Sequence, residues 1–546
     1  MKAIFPYLAL CFISILSISC EQKTKADLIV INSNIYTVDD AFSVKNAFAV
    51  KDGKFLSVGS DSQILNNFDS DKILDLNGKT VVPGLIDAHC HFYNMGLFEE
   101  AARFEGAESF PEVVQRIVDF EKSKKPEFIK GRGWDQNDWH TQTFPTKDTL
   151  DLLFPDTPIA ITRIDGHALL VNQAALDLTN LTAKTKIDGG EIILNSKGEM
   201  TGVLIDAAMQ PVINAIPEPS RNEKISILKT AEDICFSYGL TTVDDAGLPR
   251  TTLELIDSLQ NSGELSMRIY AMVSGNKENL DYYLAKGISK TDRLNIRSFK
   301  FYGDGALGSR GAALRRSYSD RDNHFGALVN SLETLENTAQ RIADSEFQMN
   351  THAIGDSTNH VVLETYQRLL ADKGDRRWRI EHAQIVSPED FQYFDKIIPS
   401  IQPTHATSDM YWAEDRIGAE RIQGAYSFKD LLDIHGKVVL GTDFPVEQVN
   451  PFLTFYASVS RRDLNGYPAE GFRMDQALSR EETLRGMTIW AAYSNFEEEE
   501  KGSIEVGKFA DFTVLSQDLM TVDYNEIPKT TALYTFVNGT EVYKAE

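Results

Sequence analysis

Eight times along this chain a short β-rich run bounded by glycine is followed by a stretch long enough for a helix, and that recurrence restricts the fold more than any other feature. The runs are 80–92, 240–247, 267–274, 296–305, 346–356, 377–386, 397–406 and 437–445. Seven of them crowd into residues 240–445, which matches the unit length of a (β/α)₈ barrel. The α/β alternative, a doubly wound open sheet, calls for a Gly-rich phosphate turn after its first strand, and IDAHCHF is not one. The expected fold is therefore an α/β TIM barrel built from residues 80–92 and 240–495.

The segment 93–239 between the first and second runs is far too long for an ordinary βα connection. It predicts an insertion domain, including the helix that leads into strand two. Within it lie GRGWDQNDW and a hairpin candidate turning at Ser196-Lys197-Gly198. Connections at the C-terminal face of a barrel shape its pocket, so this insertion is the expected lid. Alternating short strands at 21–79 and 496–546 predict one β-sandwich assembled from both chain ends.

Residues 1–20 read as a leader, with Lys2, an apolar run and a small-residue approach to Cys20. Ser19-Cys20 resembles a lipobox, with Ser17 standing where Leu is usual. The expectation is a bacterial lipoprotein of the cell envelope, lipidated at Cys20; ordinary secretion is the alternative. The membrane would then be met only through that anchor. Of four cysteines, Cys90 and Cys235 lie beyond the leader, too few for a disulfide framework. Asp and Glu outnumber Lys and Arg 80 to 55, for a net charge of −25, which disfavours a nucleic-acid partner.

The histidines carry the chemistry. His89 and His91 stand two apart on the first run, so their side chains point the same way, as a two-imidazole claw for a divalent metal does. His352, His382 and Asp443 end the fifth, sixth and eighth runs. A barrel gathers strand ends at one rim, so four imidazoles and a carboxylate converge there. Cys90 alternates away from them.

With these residues the chain resembles the amidohydrolase superfamily, and within it the branch that includes N-substituted formamide deformylase. The resemblance runs through PGLIDAHCHF, GRGWDQNDW, Asp165-Gly166-His167, SFKFYGDGALGSRGA, HAIGD, RIEHAQ, QPTHATSDMYW, GTDFPVE and KGSIEVGKFADFTVL. It implies metal ligands at His89, His91, Lys300, His352, His382 and Asp443. A lysine can ligate only as a neutral or derivatised amine. Burial near cations lowers its pKa and lets it take up carbon dioxide as a carbamate bridging two metals, expected to be zinc; the alternative is an amine paired with Asp304 or with a substrate carboxylate. Metal-activated water would attack the carbonyl of a small-molecule amide, N-formyl or N-acyl, with Asp443 moving the proton.

Candidate substrate contacts are Gln402 and His405 at the seventh run, Asp244 on the second, Arg310 after the fourth, and Trp134, Asp138, Trp139, Asp165 and His167 in the insertion. Competing readings are a mononuclear deaminase or cyclic amidase on the same fold, and a non-catalytic envelope-binding lipoprotein. Oligomeric state, a homodimer included, is left open.

Overall fold

The eight runs form one parallel ladder in sequence order: β1 (Leu85–Cys90), β2 (Leu240–Leu248), β3 (Arg268–Ser274), β4 (Leu294–Tyr302), β5 (Gln348–Ala353), β6 (Arg379–His382), β7 (Ile398–Ile401) and β8 (Val439–Leu440). This computed structural model describes residues 23–546 apart from 165, 188 and 189, and excludes the side chain of Asp138. The leader with Cys20, and Asp165, thus lie outside the described residues.

The ladder returns on itself just past β8. The Asp443 amide donates to the His89 carbonyl and the His91 amide to the Phe444 carbonyl, both at 2.8 Å. Glycine is required at this seam: a Cβ on Gly441 would lie 2.4 Å from the His89 nitrogen. Between strands the chain forms helices whose apolar sides face the barrel. Arg221–Ser237, which leads into β2, starts in a capping box between Ser220 and Glu223 and buries Ile227, Leu228, Ala231 and Cys235. It packs on Phe92–Glu99 at Gly96, where a Cβ would meet the Ile227 carbonyl at 2.2 Å.

The run 80–92 divides in two, which differs from its reading as one barrel strand. Thr80–Pro83 pairs with Asn34–Tyr36 and, antiparallel, with Phe512–Leu515. Gly84 then passes so close to β2 that a Cβ would meet Thr241 Oγ1 at 2.2 Å, and β1 begins at Leu85. A six-stranded sheet made from both chain ends faces a four-stranded one made of Leu28–Ile31, Ala47–Lys51, Lys54–Gly59 and Ile73–Asp75. Phe48, Phe55, Phe512 and Phe536 interlock between them as the sandwich core.

The insertion has its own mixed six-stranded sheet: Ala102–Arg103, Ile129–Trp134, Ile159–Arg163, Ala168–Val171, Met200–Asp206 and Gly190–Leu194 in spatial order. The last two are the expected hairpin, with Gly198 at φ +80° in its turn. Its core of Phe104, Val113, Ile117, Trp134, Trp139 and Leu170 is separate from that of the barrel. No helix among the described residues is long and apolar enough to cross a membrane.

Gly441→Ala is expected to destabilise the protein by about 1–3 kcal/mol, because the backbone of β1 cannot yield. Gly374→Ala, where a Cβ meets nothing within 4 Å, should stay within about 0.5 kcal/mol of the parent. Denaturant midpoints of the two variants measured side by side check both.

Candidate metal centre and active site

The C-terminal rim of the barrel brings together the side chains that the sequence nominated as ligands. His89 lies next to the end of β1, fully buried, and His91 follows the strand as the residue before the helix Phe92–Glu99. Lys300 on β4 places Nζ 3.1 Å from His89 Nε2 and 5.0 Å from the centre of the Tyr302 ring. The His352 ring lies 4.5 Å from that of His382, and the His382 ring 4.9 Å from that of His89. Asp443 Oδ1 stands 3.2 Å from His91 Nε2 and 3.5 Å from His89 Nε2. His382 and Asp443 turn inward with φ of +76° and +62°, backbone that a non-glycine residue keeps only where its surroundings enforce it.

Burial decides the charge states here. It lowers His89 to about 4 and His352 to about 3, helped in both by the Lys300 charge, and it takes His382 well below the usual imidazole range. These rings are neutral near pH 7, and a neutral imidazole carries the lone pair a metal needs. Burial also brings Lys300 down to about 8, with Glu381 and Asp443 pulling the other way. For Asp443, burial opposes ionisation but is outweighed by the hydrogen bond from His405 and by the neighbouring His91 ring, which hold the carboxyl well below its ordinary value.

Beneath the rim a chain of buried charges fixes the ligand orientation. His89 Nδ1 bonds Glu381 Oε2, which leaves Nε2 turned toward Lys300. Arg379 Nε is ion-paired with Glu381 Oε1 at 2.8 Å, and Arg379 Nη1 donates to Asp244 Oδ2 at 2.9 Å. Asn495 Nδ2 closes the chain on Asp244 Oδ1 at 2.6 Å. Two residues before His89 on β1, Asp87 accepts from the Thr442 amide at 3.0 Å and the Thr442 hydroxyl at 2.7 Å. Glu381, Arg379 and Asp87 were not nominated from sequence. Arg379 and Glu381 alternate along RIEH and so share one face of that strand, and Asp87 stands two before His89, but nothing in the sequence names their partners.

His405 also reaches the site, from the first turn of the helix Pro403–Asp409 rather than from β7 itself. Its Nε2 is 3.2 Å from Asp443 Oδ2 and its Nδ1 3.1 Å from Glu447 Oε1. Burial works against its charged form, yet the two carboxylates outweigh it and raise His405 to about 10. Gln402 is buried at the end of β7, and its Oε1 finds no partner among the described residues.

Other nominated contacts are bonded within the protein. Asp244 is held on both oxygens within the charge chain and is fully buried, so it supports the site and does not meet substrate. Arg310 spends its guanidinium on Asp320, at 3.0 and 2.7 Å. Trp134 and Trp139 pack with their rings tilted, centroids 6.1 Å apart, in the insertion core, their indole N–H groups donating to the carbonyls of Ile161 and Ala107; buried aromatic surface, not pocket lining, accounts for them. His167 is exposed and bonded to Asp206 at 2.7 Å. Cys90 and Cys235 are buried free thiols. Asp304 accepts from the Ala313, Ile354 and Gly355 amides and the Thr358 hydroxyl, which answers the alternative pairing with Lys300.

The donor set fits a divalent cation. Asp443 Oδ1, His382 Nδ1 and His352 Nε2 are buried without a hydrogen-bond partner, a costly state that a cation relieves. Donor atoms of His89, His382 and Asp443 lie within 4.8 Å of one another. Such a centre can polarise a carbonyl and activate water, beside a carboxylate able to carry protons.

Comparison with known proteins agrees with this chemistry. The profile of the Amidohydrolase family matches residues 72–543. The chain is 32% identical to Protein LONG AFTER FAR-RED 3 of Arabidopsis thaliana, over 95% of this chain and 92% of that one. It is 26% identical to N-substituted formamide deformylase of Arthrobacter pascens, over 95% and 98%. Among solved structures, an uncharacterized metal-dependent hydrolase from Pyrococcus furiosus superposes with a TM-score of 0.77 at 27% identity, covering 90% of this chain and all of its own. The chain therefore belongs to the Amidohydrolase family, hydrolases of carbon–nitrogen bonds.

Proposed function

We propose that this protein hydrolyses a non-peptide amide of a small molecule, an N-formyl or N-acyl bond, with two zinc ions held by His89, His91, Lys300, His352, His382 and Asp443. The observation that carries this reading is the set of orphaned, buried donor atoms on His352, His382 and Asp443, joined at one rim by neutral imidazoles. Lys300, brought toward neutrality by burial, would react as the free amine with carbon dioxide, forming an N–C bond and releasing one proton, and the carbamate would offer oxygens with which to hold the cations. Bound there, the cations supply Lewis-acid activation of the water and of the scissile carbonyl.

The proton traffic falls to Asp443. Its Oδ2 is held by His405, while Oδ1 has no hydrogen-bond partner and faces the ligand cluster. A carboxylate so divided keeps its position through one oxygen and takes the water proton on the other. It then returns the proton to the departing nitrogen as the carbon–nitrogen bond breaks. The Glu381–Arg379–Asp244 chain keeps His89 in the tautomer that presents Nε2. By the leader residues 1–20, the enzyme works outside the cytoplasm, anchored through Cys20.

Elemental analysis of protein purified with zinc and bicarbonate should find two metals per chain, with Lys300→Ala binding fewer. One metal in both proteins would favour a mononuclear deaminase or cyclic amidase, and none would favour a binding protein. Asp443→Asn should lower kcat by about 10²–10⁴-fold on an N-formyl amine, measured at saturating metal. Glu381→Gln, which removes the anionic partner of His89, should weaken metal binding by about 10–100-fold in a chelator competition.

A further inference from the structure

Beside the metal centre, on the far side of Glu447 and His405, lies a cavity of about 290 Å³ that the proposed chemistry does not use. Its walls come from the helix Pro403–Asp409, the Glu447–Gln448 segment after β8, the helix Pro451–Ser460 and the loop 462–465. Leu453, Tyr456, Ala457 and Leu464 make it largely apolar. Tyr411 and Tyr467 stack at its edge, 5.7 Å apart with an interplanar angle of 11°, both more than half exposed.

The charges around it are not equivalent. Both carboxylates that line the cavity are already engaged. Glu447 Oε1 accepts from Ser408 Oγ at 2.7 Å and lies 3.1 Å from His405 Nδ1. Asp463 accepts from the amides of Asn465 and Tyr467 at 2.9 and 2.7 Å, and from the Tyr411 hydroxyl. Arg462 has no such partner: no hydrogen bond or ion pair engages its guanidinium among the described residues, and its Nε is buried. The neighbouring Arg461, at φ +54°, sends its own guanidinium into the core, where Nε and Nη2 donate to the carbonyls of Phe472 and Tyr426. That left-handed residue separates the two side chains, one buried and bonded through two of its three nitrogens, the other lining the cavity with no partner among the described residues.

A half-buried arginine without an anion, in an apolar cavity whose acids are all occupied, is complementary to one kind of ligand. We propose that the cavity receives the far end of the substrate and that Arg462 binds a carboxylate there, so that the substrate class is a small N-acyl compound with an apolar body and a carboxylate, such as an N-formyl or N-acetyl apolar amino acid. This rests on the hydrolytic reading of the adjoining metal centre. It accounts for the position of the cavity, which shares Glu447 with the group that holds His405 and Asp443.

The test uses the full metal-loaded protein and two readouts. In calorimetric titration, 3-phenylpropanoate should bind at least about tenfold more tightly than its neutral isostere 3-phenylpropanamide, the scale of one charge-assisted contact. Arg462→Met should erase that preference and Arg462→Lys restore part of it. Lys300→Ala should keep the preference, which distinguishes the cavity from direct binding of the carboxylate to the metals. In turnover, N-acetylphenylalanine should be favoured over N-acetylphenylalanine amide through KM, and Arg462→Met should remove that advantage. Equal binding of acid and amide by the parent protein, or a preference that survives Arg462→Met, would overturn the inference. A preference for the acid that depends on Arg462, without hydrolysis of any N-acyl or N-formyl compound, would leave the cavity standing and refute the hydrolytic reading.

Discussion

The rest of the active site depends on a line of charge buried inside the barrel. Asp244, Arg379, Glu381 and His89 are all essentially inaccessible, and each is held by the next. Ion pairs stripped of water are poor sources of stability, because desolvation consumes most of the attraction. What this one secures is orientation. With Glu381 taking the Nδ1 side of His89, the imidazole has one way to face, and the geometry of its neighbours is set around it. Arg379 holds Glu381 ionised by outweighing the cost of burial, and Asp244 accepts from another arm of the same guanidinium.

A second constraint is the seam where the segment after β8 meets β1. Because the His89 carbonyl and the His91 amide are bonded across it, the first two ligands and Asp443 share one backbone junction. The close approach at Gly441 is therefore also what brings a carboxylate beside two imidazoles. Stability of the fold and assembly of the site are the same event at this point.

Much of this could be read from residues alone, for a physical reason. Strand alternation puts His89 and His91 on one face, and a barrel converts scattered strand ends into neighbours, so the spacing of histidines already implied the site. The supporting charges were harder to see because Glu381 and Arg379 sit on the same short strand as a nominated ligand, where a charged residue reads as solvated unless its partner is known. The tryptophans misled in the opposite sense. Trp134 and Trp139 occur in an aromatic, Gly-rich stretch of the kind that lines pockets, yet the barrel rim was not the only apolar demand nearby: the insertion has its own sheet to cover. Glu447 and Arg462 reach their positions through a loop and a left-handed turn, and neither carries a periodic signal.

The division of the run 80–92 has a consequence for how the polypeptide is completed. Thr80–Pro83 lies between Asn34–Tyr36 and Phe512–Leu515, so a strand made early waits for one made more than four hundred residues later. Until the ribosome has released the C-terminal segment, the edge of that sheet is open and its phenylalanines lack half of their partners. A chain truncated anywhere before Phe512 would thus present an unpaired β edge immediately upstream of its first catalytic strand, which makes the intact C-terminus a checkpoint on whether the molecule can mature at all.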